Sequence, residues 1–439
     1  MAFEAPLIAG WQCVVCGASV DIGQAFTWRC PNSTETDRHH SMQLVQGVAP
    51  LQSSGEANPF LAFRRYLAWD GFVAAHGPTP AARHAMVAEL DSLVAAVAGT
   101  GFVTTPFERA DALSAELGFG AGGGVWVKDE THNVGGSHKA RHLFTILLHL
   151  RAAEQLGLAQ WSHRPPLAIA SCGNAALAAA TLGAAVSWPI RVFVPVGANP
   201  VVVARLHSLQ AQVVECPRLP ADPPGDPCVH RFREAVVDGA VPFSVQGTEN
   251  AWCLDGGRTI GWEMARQMDQ AIEGLPFDRL FVQVGGGAFA AGVAAGFQMG
   301  GVVPALHAVQ TESCAPLARA WHRALAFGGP QQAGAHWAEC MWPWEHVGSS
   351  AADGILDDET YDWLPILGAM ADGRGSPVVA AETHVLQANE LGRRTTGIDA
   401  SHTGTAGLAG LLALQSDDSS GRRVAPDERV AVVFSGVRR

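Results

Sequence analysis

Lysine is nearly absent from this chain of 439 residues. Of its 29 basic residues, 27 are arginine, and the two lysines are Lys128 and Lys139. Arginine covers solubility and ion pairing, but its guanidinium stays charged, so an amine that must shed its proton and attack a carbonyl has to be a lysine. A high-GC genome accounts for the scarcity. It does not account for a lysine placed directly after Gly135-Gly136-Ser137-His138. Basic clusters are lacking too: the net charge is −12 and the acidic residues are dispersed, which argues against a nucleic-acid partner. No apolar run reaches the roughly 18 residues of a membrane span. The opening residues, Met1 to Cys13, lack the basic stretch of a secretion signal. Nine cysteines, an odd number in so long a chain, do not make a disulfide framework. A reducing, cytoplasmic compartment is therefore expected. The 49 glycines and 48% hydrophobic residues suit a loop-rich α/β enzyme with room for two or three domains.

Residues 1–55 stand apart as a small module. Cys13-Val14-Val15-Cys16-Gly17 is a CxxCG knuckle, and Cys30 offers a third thiol at a zinc-ribbon spacing. A closed structural zinc site needs four ligands. No fourth cysteine follows, and His39 or His40 would complete a Cys3His set. The competing reading is a hairpin that kept the shape of a ribbon without its metal.

From residue 58 to 98 apolar residues recur at helical intervals, broken at Gly77-Pro78. Val125–Lys128 reads as a strand, the loop His132–Gly136 follows, and a helix is expected from Ser137 to about Leu150, with Ser137 as its N-cap. That places Lys139 in the first turn, where the positive end of the helix dipole favours a neutral amine and a nearby anion. Beyond it the chain alternates strand and helix. Leu167–Ser171, Ile190–Val194, Gln212–Glu215, Leu280–Val284, Leu306–Gln310 and Arg429–Phe434 read as strands. Helices are expected at Asn174–Ala185, Pro200–Gln210, Arg231–Val237 and Gly404–Leu414. Such alternation predicts a mostly parallel sheet wrapped by helices, with ligands at the carboxyl ends of strands.

Three of those ends are unusual. Ser171-Cys172-Gly173-Asn174 is a small polar turn that could close on a carboxylate; taken alone it is a plain crossover turn with Asn174 as cap. Gly285-Gly286-Gly287-Ala288 precedes a helix, so bare amides there suit a phosphate. Ser435 follows the last strand, facing a cofactor ring edge or merely capping the turn. Gly285, Gly287, Gly292 and Glu312 loosely imitate a dinucleotide fingerprint, although the glycine spacing is not that of GxGxxG. An NAD-dependent oxidoreductase is the alternative from that pattern.

Taken in order, these motifs resemble the fold-type II pyridoxal-phosphate enzymes, the group of threonine synthase and of the threonine and serine dehydratases. Asn133-Val134-Gly135-Gly136-Ser137-His138-Lys139 resembles their Asn-Pro-Thr-Gly-Ser-Phe-Lys, with Arg141 also matching. Lys128-Asp129-Glu130, Asp255-Gly256-Gly257-Arg258-Thr259 and Val309-Gln310-Thr311-Glu312 are similar to threonine-synthase segments. The resemblance spans roughly residues 100–439. It implies a two-domain body like the tryptophan synthase β chain, with 56–139 and 251–439 as a large cofactor-binding domain and 140–250 as a small mobile one. It further implies a Schiff base on Lys139 and a phosphate held by Gly285, Gly286, Gly287 and Ala288. Asn174 would lie at the ring hydroxyl and Ser435 at the ring nitrogen. Ser137 and Ser171, Cys172, Gly173 and Asn174 would meet the substrate.

A serine, unlike an aspartate, cannot hold the ring nitrogen protonated, which favours loss of a β-substituent over transamination. The expected reaction is β-elimination from a hydroxy amino acid, giving a 2-oxo acid and ammonia. The alternative is replacement on O-phosphohomoserine, as in threonine synthase, which needs a second anion site; beyond Arg141 and Arg258 none is assignable. Lys128 is read as a strand-end ion-pair residue, and His138, in place of the family's Phe, as a packing choice over a second acid/base. A homodimer is expected by the resemblance.

Overall fold

The computed structural model describes residues 7–47, 49–271, 277–417 and 423–439. They fall into two compact units. One comprises residues 1–104, 133–135 and 139–259, and the other residues 105–132, 136–138 and 260–439.

The first unit contains a three-stranded antiparallel sheet, with Ile8–Cys13 between Ser19–Asp21 and Met42–Gln46. It also holds a four-stranded parallel sheet ordered Gln212–Glu215, Ile190–Val194, Leu167–Ala170, Val241–Pro242. Leu167–Ala170 is almost wholly apolar because helices cover both faces of such a sheet. The helix Asn174–Ala185 follows it directly, and its alanines allow close packing. Pro80–Ala98 shows how local signals set limits. The Thr79 hydroxyl accepts from Ala82 N–H, Pro80 occupies the first turn, and Gly99 ends the helix in the left-handed region.

The second unit is built on a six-stranded sheet in the order Val378–Ala380, Ala305–Thr311, Arg279–Gln283, Arg429–Phe434, Gly124–Asp129, Phe107–Arg109. All pairs are parallel except the last, where Phe107–Arg109 runs antiparallel at the edge. The helix His402–Ser416 packs its small face on this sheet, and a Cβ on Gly410 would sit 2.3 Å from Val309 Cγ2. Arg279–Gln283, Arg429–Phe434 and Gly124–Asp129 are neighbours. Their carboxyl ends therefore deliver Gly285–Gly287, Ser435 and Glu130 to one edge of the sheet.

Three helix starts differ from expectation. The helix expected at Gly404 begins two residues earlier, at His402, with Ser401 Oγ accepting from Gly404 N–H as its cap. The helix expected at Arg231 begins at Pro227, because Asp226 accepts from Cys228 N–H and Pro227 sits in the first turn. The helix expected from Ser137 runs from Lys139 to Gln155. Ser137 is not its N-cap. The backbone of Gly136–His138 is held by the C-terminal strand end instead: Ser137 bridges Gly436, Val437 N–H donates to Gly136 C=O, and His138 N–H donates to Ser435 C=O. Extended pairing there delays the helix by two residues. Among the described residues, no helix is long and apolar enough to cross a membrane.

Candidate active site

The loop before Lys139 is shaped by its own sequence. Gly136 has φ +70°, and a Cβ there would lie 2.7 Å from Val437 Cγ1, so only glycine lets the C-terminal segment lie this close. Ser137 is buried, and its Oγ has no hydrogen-bond partner among the described residues. The His138 ring packs on Phe289 with centroids 4.1 Å apart, and its Nδ1 donates to Ser435 C=O at 3.0 Å. A carbonyl only accepts, so this contact puts the proton on Nδ1. These are packing contacts. Lys139, half-buried, opens the helix directly after it.

Lys128 lies in a different environment. Its Nζ donates to Glu263 Oε2 at 2.6 Å, Thr105 C=O at 2.7 Å and Gln267 Oε1 at 2.9 Å, and both charged side chains are wholly buried. Thr105 N–H donates to Glu263 Oε2 at 3.1 Å, and Thr105 Oγ to Glu130 Oε1 at 2.5 Å. An ammonium so enclosed holds the strand end in place and has no room to act as a nucleophile.

The glycine turn leads into the helix Ala288–Met299, whose cap position is Gly287 at φ +103° with no side-chain cap. A Cβ on Gly285 would lie 2.1 Å from Asp357 Oδ2 and 3.0 Å from Ile355 Cα, and Asp362 N–H donates to Gly286 C=O. One side of the turn thus packs on the segment 355–362, which sequence reasoning missed. The first-turn amides of a 12-residue helix remain a suitable anion cradle.

Ser435 is buried, and its Oγ accepts from Gln283 Nε2 at 2.6 Å. The same amide nitrogen donates to Gly404 C=O at 3.0 Å and Val433 C=O at 3.2 Å. Turning the amide over would set oxygen against two carbonyls, so its orientation is fixed. With one lone pair occupied, the Ser435 hydroxyl keeps its hydrogen for another acceptor. Gln283 was not singled out from the sequence; a lone polar residue in Leu-Phe-Val-Gln-Val was the available signal.

In the other unit, Ser171–Asn174 follows the buried strand Leu167–Ala170. Gly173 occupies the cap position and Asn174 is the first helical residue, so Asn174 does not serve as the cap. Gly173 N–H donates to Ser171 Oγ at 3.4 Å, and Cys172 is exposed. Arg141 and Arg258 are both buried and committed. Arg141 donates to Thr259 Oγ at 3.1 Å, while Arg258 pairs with Asp255 at 3.0 Å and donates to Gln46 at 2.7 Å. Further along the Lys139 helix, His142 Nδ1 donates to Cys253 C=O and His149 Nδ1 to Thr145 C=O. Burial pushes His142 down to about 3, with the Lys139 charge adding to it, and pushes His149 down to about 4.

A family model described as pyridoxal-phosphate-dependent enzyme matches residues 100–436. The chain belongs to that family. Solved structures of other enzymes share its fold. The processed form of threonine deaminase isoform 2 from Solanum lycopersicum superposes with a TM-score of 0.57 at 18% identity, covering 90% of this chain and 96% of that one. Maize serine racemase gives 0.56 at 16% identity, with 80% and 92% covered. An L-serine ammonia-lyase from Rhizomucor miehei gives 0.56 at 17%, with 76% and 94% covered. At these identities the likeness is one of fold. No curated protein sequence matches the chain.

The residues present fit pyridoxal phosphate. Among the described residues, the helix start after Gly287 has no side-chain cap, which suits its phosphate, and the buried Ser137 Oγ has no partner; the Ser435 hydroxyl keeps a hydrogen suited to a ring nitrogen. The family assignment takes the place of the dinucleotide alternative, and Glu312 accepts a backbone hydrogen bond from Glu382 N–H. Near the N-terminus Cys13, Cys16, Cys30 and His40 bring four ligand atoms within 4.8 Å of one another. His40, and not His39, joins the thiols.

Proposed function

We propose that this enzyme is a lyase that removes a β-substituent, most simply hydroxyl, from a hydroxy amino acid and releases a 2-oxo acid and ammonia. The observation that carries this reading is the Gln283–Ser435 hydrogen bond, in which Ser435 Oγ accepts and its own O–H is left to donate elsewhere. A neutral hydroxyl donor is matched to an unprotonated pyridine nitrogen. Bound pyridoxal phosphate supplies an aldehyde for the substrate amine and a ring that draws electrons from Cα; with its nitrogen unprotonated that pull is moderate, which favours prompt loss of a leaving group over transamination.

Lys139 is the proposed anchor for the cofactor and, once the substrate amine has taken its place, the base whose Nζ accepts the proton from Cα. Gly285, Gly286, Gly287 and Ala288 are assigned to the phosphate through backbone amides at a helix start. Ser171, Cys172, Gly173 and Asn174 are assigned to the substrate carboxylate, at the opening of another helix; Asn174 is also assigned to the ring hydroxyl. Ser137 is assigned to the substrate, for which its Oγ, without a partner among the described residues, is suited. Replacement on O-phosphohomoserine is less well supported, because Arg141, Arg258 and Lys128 are buried and already engaged.

The test is a screen of L-serine, L-threonine and larger hydroxy amino acids for 2-oxo acid release, with O-phosphohomoserine alongside. Oxo acid from at least one hydroxy amino acid, lost in Lys139→Ala, is expected. Phosphate release from O-phosphohomoserine with no oxo acid from the others would overturn the proposal. Full activity in Lys139→Ala would remove the assigned base.

A further inference from the structure

The N-terminal module holds a donor set that the reaction does not use. Residues 22–41 form a stretch of 20 residues with neither helix nor strand. Loops beyond about 12–15 residues without structure of their own are uncommon in compact domains and need something to hold them. Here the loop begins just after the strand Ser19–Asp21 and carries Cys30 and His40; Cys13 and Cys16 flank the turn before it. Cys13 Sγ lies 3.4 Å from His40 Nδ1, and Cys16 Sγ lies 3.5 Å from Cys30 Sγ. With Zn–S of about 2.3 Å and Zn–N of about 2.0 Å, tetrahedral ligand atoms stand about 3.5–3.8 Å apart.

We infer that Cys13 Sγ, Cys16 Sγ, Cys30 Sγ and His40 Nδ1 bind one tetrahedral zinc ion, a closed structural site that fixes this loop. The surroundings suit it. His40 Nε2 lies 3.1 Å from Asp37 Oδ2, so Nε2–H donates to the carboxylate and Nδ1 is left as the metal donor. Val15 N–H and Asn32 Nδ2 each donate to a ligand sulfur at 3.4 Å, offsetting the charge of three thiolates. Four protein ligands leave no open position, so the ion does not take part in the chemistry.

The fixed loop has a mechanical task within its unit. Trp28 C=O, two residues before Cys30, accepts from Ala251 N–H at 2.7 Å, and the Trp28 ring meets Trp252 edge-on at 5.7 Å. On the other side of Cys30, Arg38 reaches Glu249 at 3.9 Å. Trp252 in turn stacks on His149 at 4.3 Å, and its C=O accepts from Thr145 Oγ at 2.6 Å. The zinc loop thereby buttresses the segment that holds the helix beginning at Lys139, whatever reaction that lysine serves.

The experiment measures metal in the full chain, purified without a polyhistidine tag or chelator. Close to one zinc per chain is expected. Titrating the thiols with a mercurial should release it, and cobalt exchange should give the visible bands of tetrahedral thiolate-bound Co(II). His39→Ala should keep the metal, whereas His40→Ala and Cys30→Ser should lose most of it. Stripping the zinc should speed amide exchange at least about tenfold in 142–149 and 249–252, the loss of about 1.4 kcal/mol of local protection. Folded, metal-free wild-type protein, or one with a Cys16–Cys30 disulfide, would overturn the site. Full occupancy in His40→Ala would overturn the ligand set, and unchanged exchange would overturn the buttress. Should Cys30→Ser fail to fold, the wild-type metal ratio and the cobalt spectrum decide.

Discussion

Replacing Lys128 by methionine tests whether the chain has one reactive amine or two. The side chain is wholly buried, and Lys128→Met would leave Glu263 buried without its cation. Breaking a buried pair from one side costs about 3–5 kcal/mol. Thr105 still donates to Glu263 Oε2 through its N–H at 3.1 Å, which places the loss at the lower end, about 3 kcal/mol. Glu263→Leu should cost about the same, since Lys128 would keep Thr105 C=O and Gln267 Oε1 as neutral acceptors. The double variant removes both charges together and should cost no more than about 3 kcal/mol in total, a coupling of about 3 kcal/mol between the sites. For 439 residues the unfolding entropy near Tm is about 0.9 kcal/mol/K, so each single variant should melt about 3 °C lower and the double variant no lower than either. Differential scanning calorimetry with the cofactor bound reads this directly. Borohydride reduction should still fix the cofactor on Lys139 in every variant. A Lys128→Met protein that melts normally yet loses its colour or its activity would refute the reasoning and make Lys128 part of the chemistry.

Ser435→Asp should hold a ring nitrogen protonated; elimination is expected to fall at least about tenfold while conversion of the bound cofactor to its amine form rises, both followed by absorbance and chromatography of released cofactor. Gly285→Ala puts a Cβ 2.1 Å from Asp357 Oδ2 and must displace the turn, so Kd for pyridoxal phosphate should rise at least about tenfold by equilibrium dialysis, with Lys139 still labelled at saturation. His142 and His149 are neutral when folded, at about 3 and about 4, and near 6.5 when unfolded. Between those values the unfolded chain binds more protons, so stability falls as pH drops below about 6.5; at pH 5 each should cost about 2 kcal/mol, and Tm should fall about 4 °C from its value at pH 7.5. His149→Phe keeps a ring against Trp252 and should remove about half of that acid loss; a pH profile unchanged from the wild type would contradict this account.

The parts of this protein that could be read in advance are those where backbone rules act locally. Asn174–Ala185, Ile190–Val194, Gln212–Glu215 and Arg429–Phe434 lie where apolar runs and flanking Gly, Pro and Asn put them. A strand carboxyl end also announces its loop, so Gly285–Gly287 and Ser435 could be named from the chain order of strands. Ser137 shows where this stops. By local preference it caps a helix, but pairing with Gly436, almost three hundred residues away, outcompetes one capping bond and keeps the backbone extended. Long-range pairing of that kind leaves no periodic trace.

Buried polar partnerships are hidden for the same reason, and they carry the chemical argument. Lys128 is predictable as an ion-pair residue from its place at a strand end, yet nothing near it in the chain points to Glu263 as its partner. The choice between His39 and His40 turns on which ring the loop aims at Cys13, a difference of one residue that ribbon spacing tolerates either way. Gln283 is the sharpest case. A single amide inside an apolar strand is costly unless its hydrogen bonds are met, so its presence in Leu-Phe-Val-Gln-Val implies at least one distant polar partner. Three acceptors from the two segments flanking that strand, Gly404 C=O, Val433 C=O and Ser435 Oγ, share the two hydrogens of its NH2 group here, and only the third can pass a hydrogen on. The amide is thus tolerated in the core for the same reason that Ser435 is left as a donor.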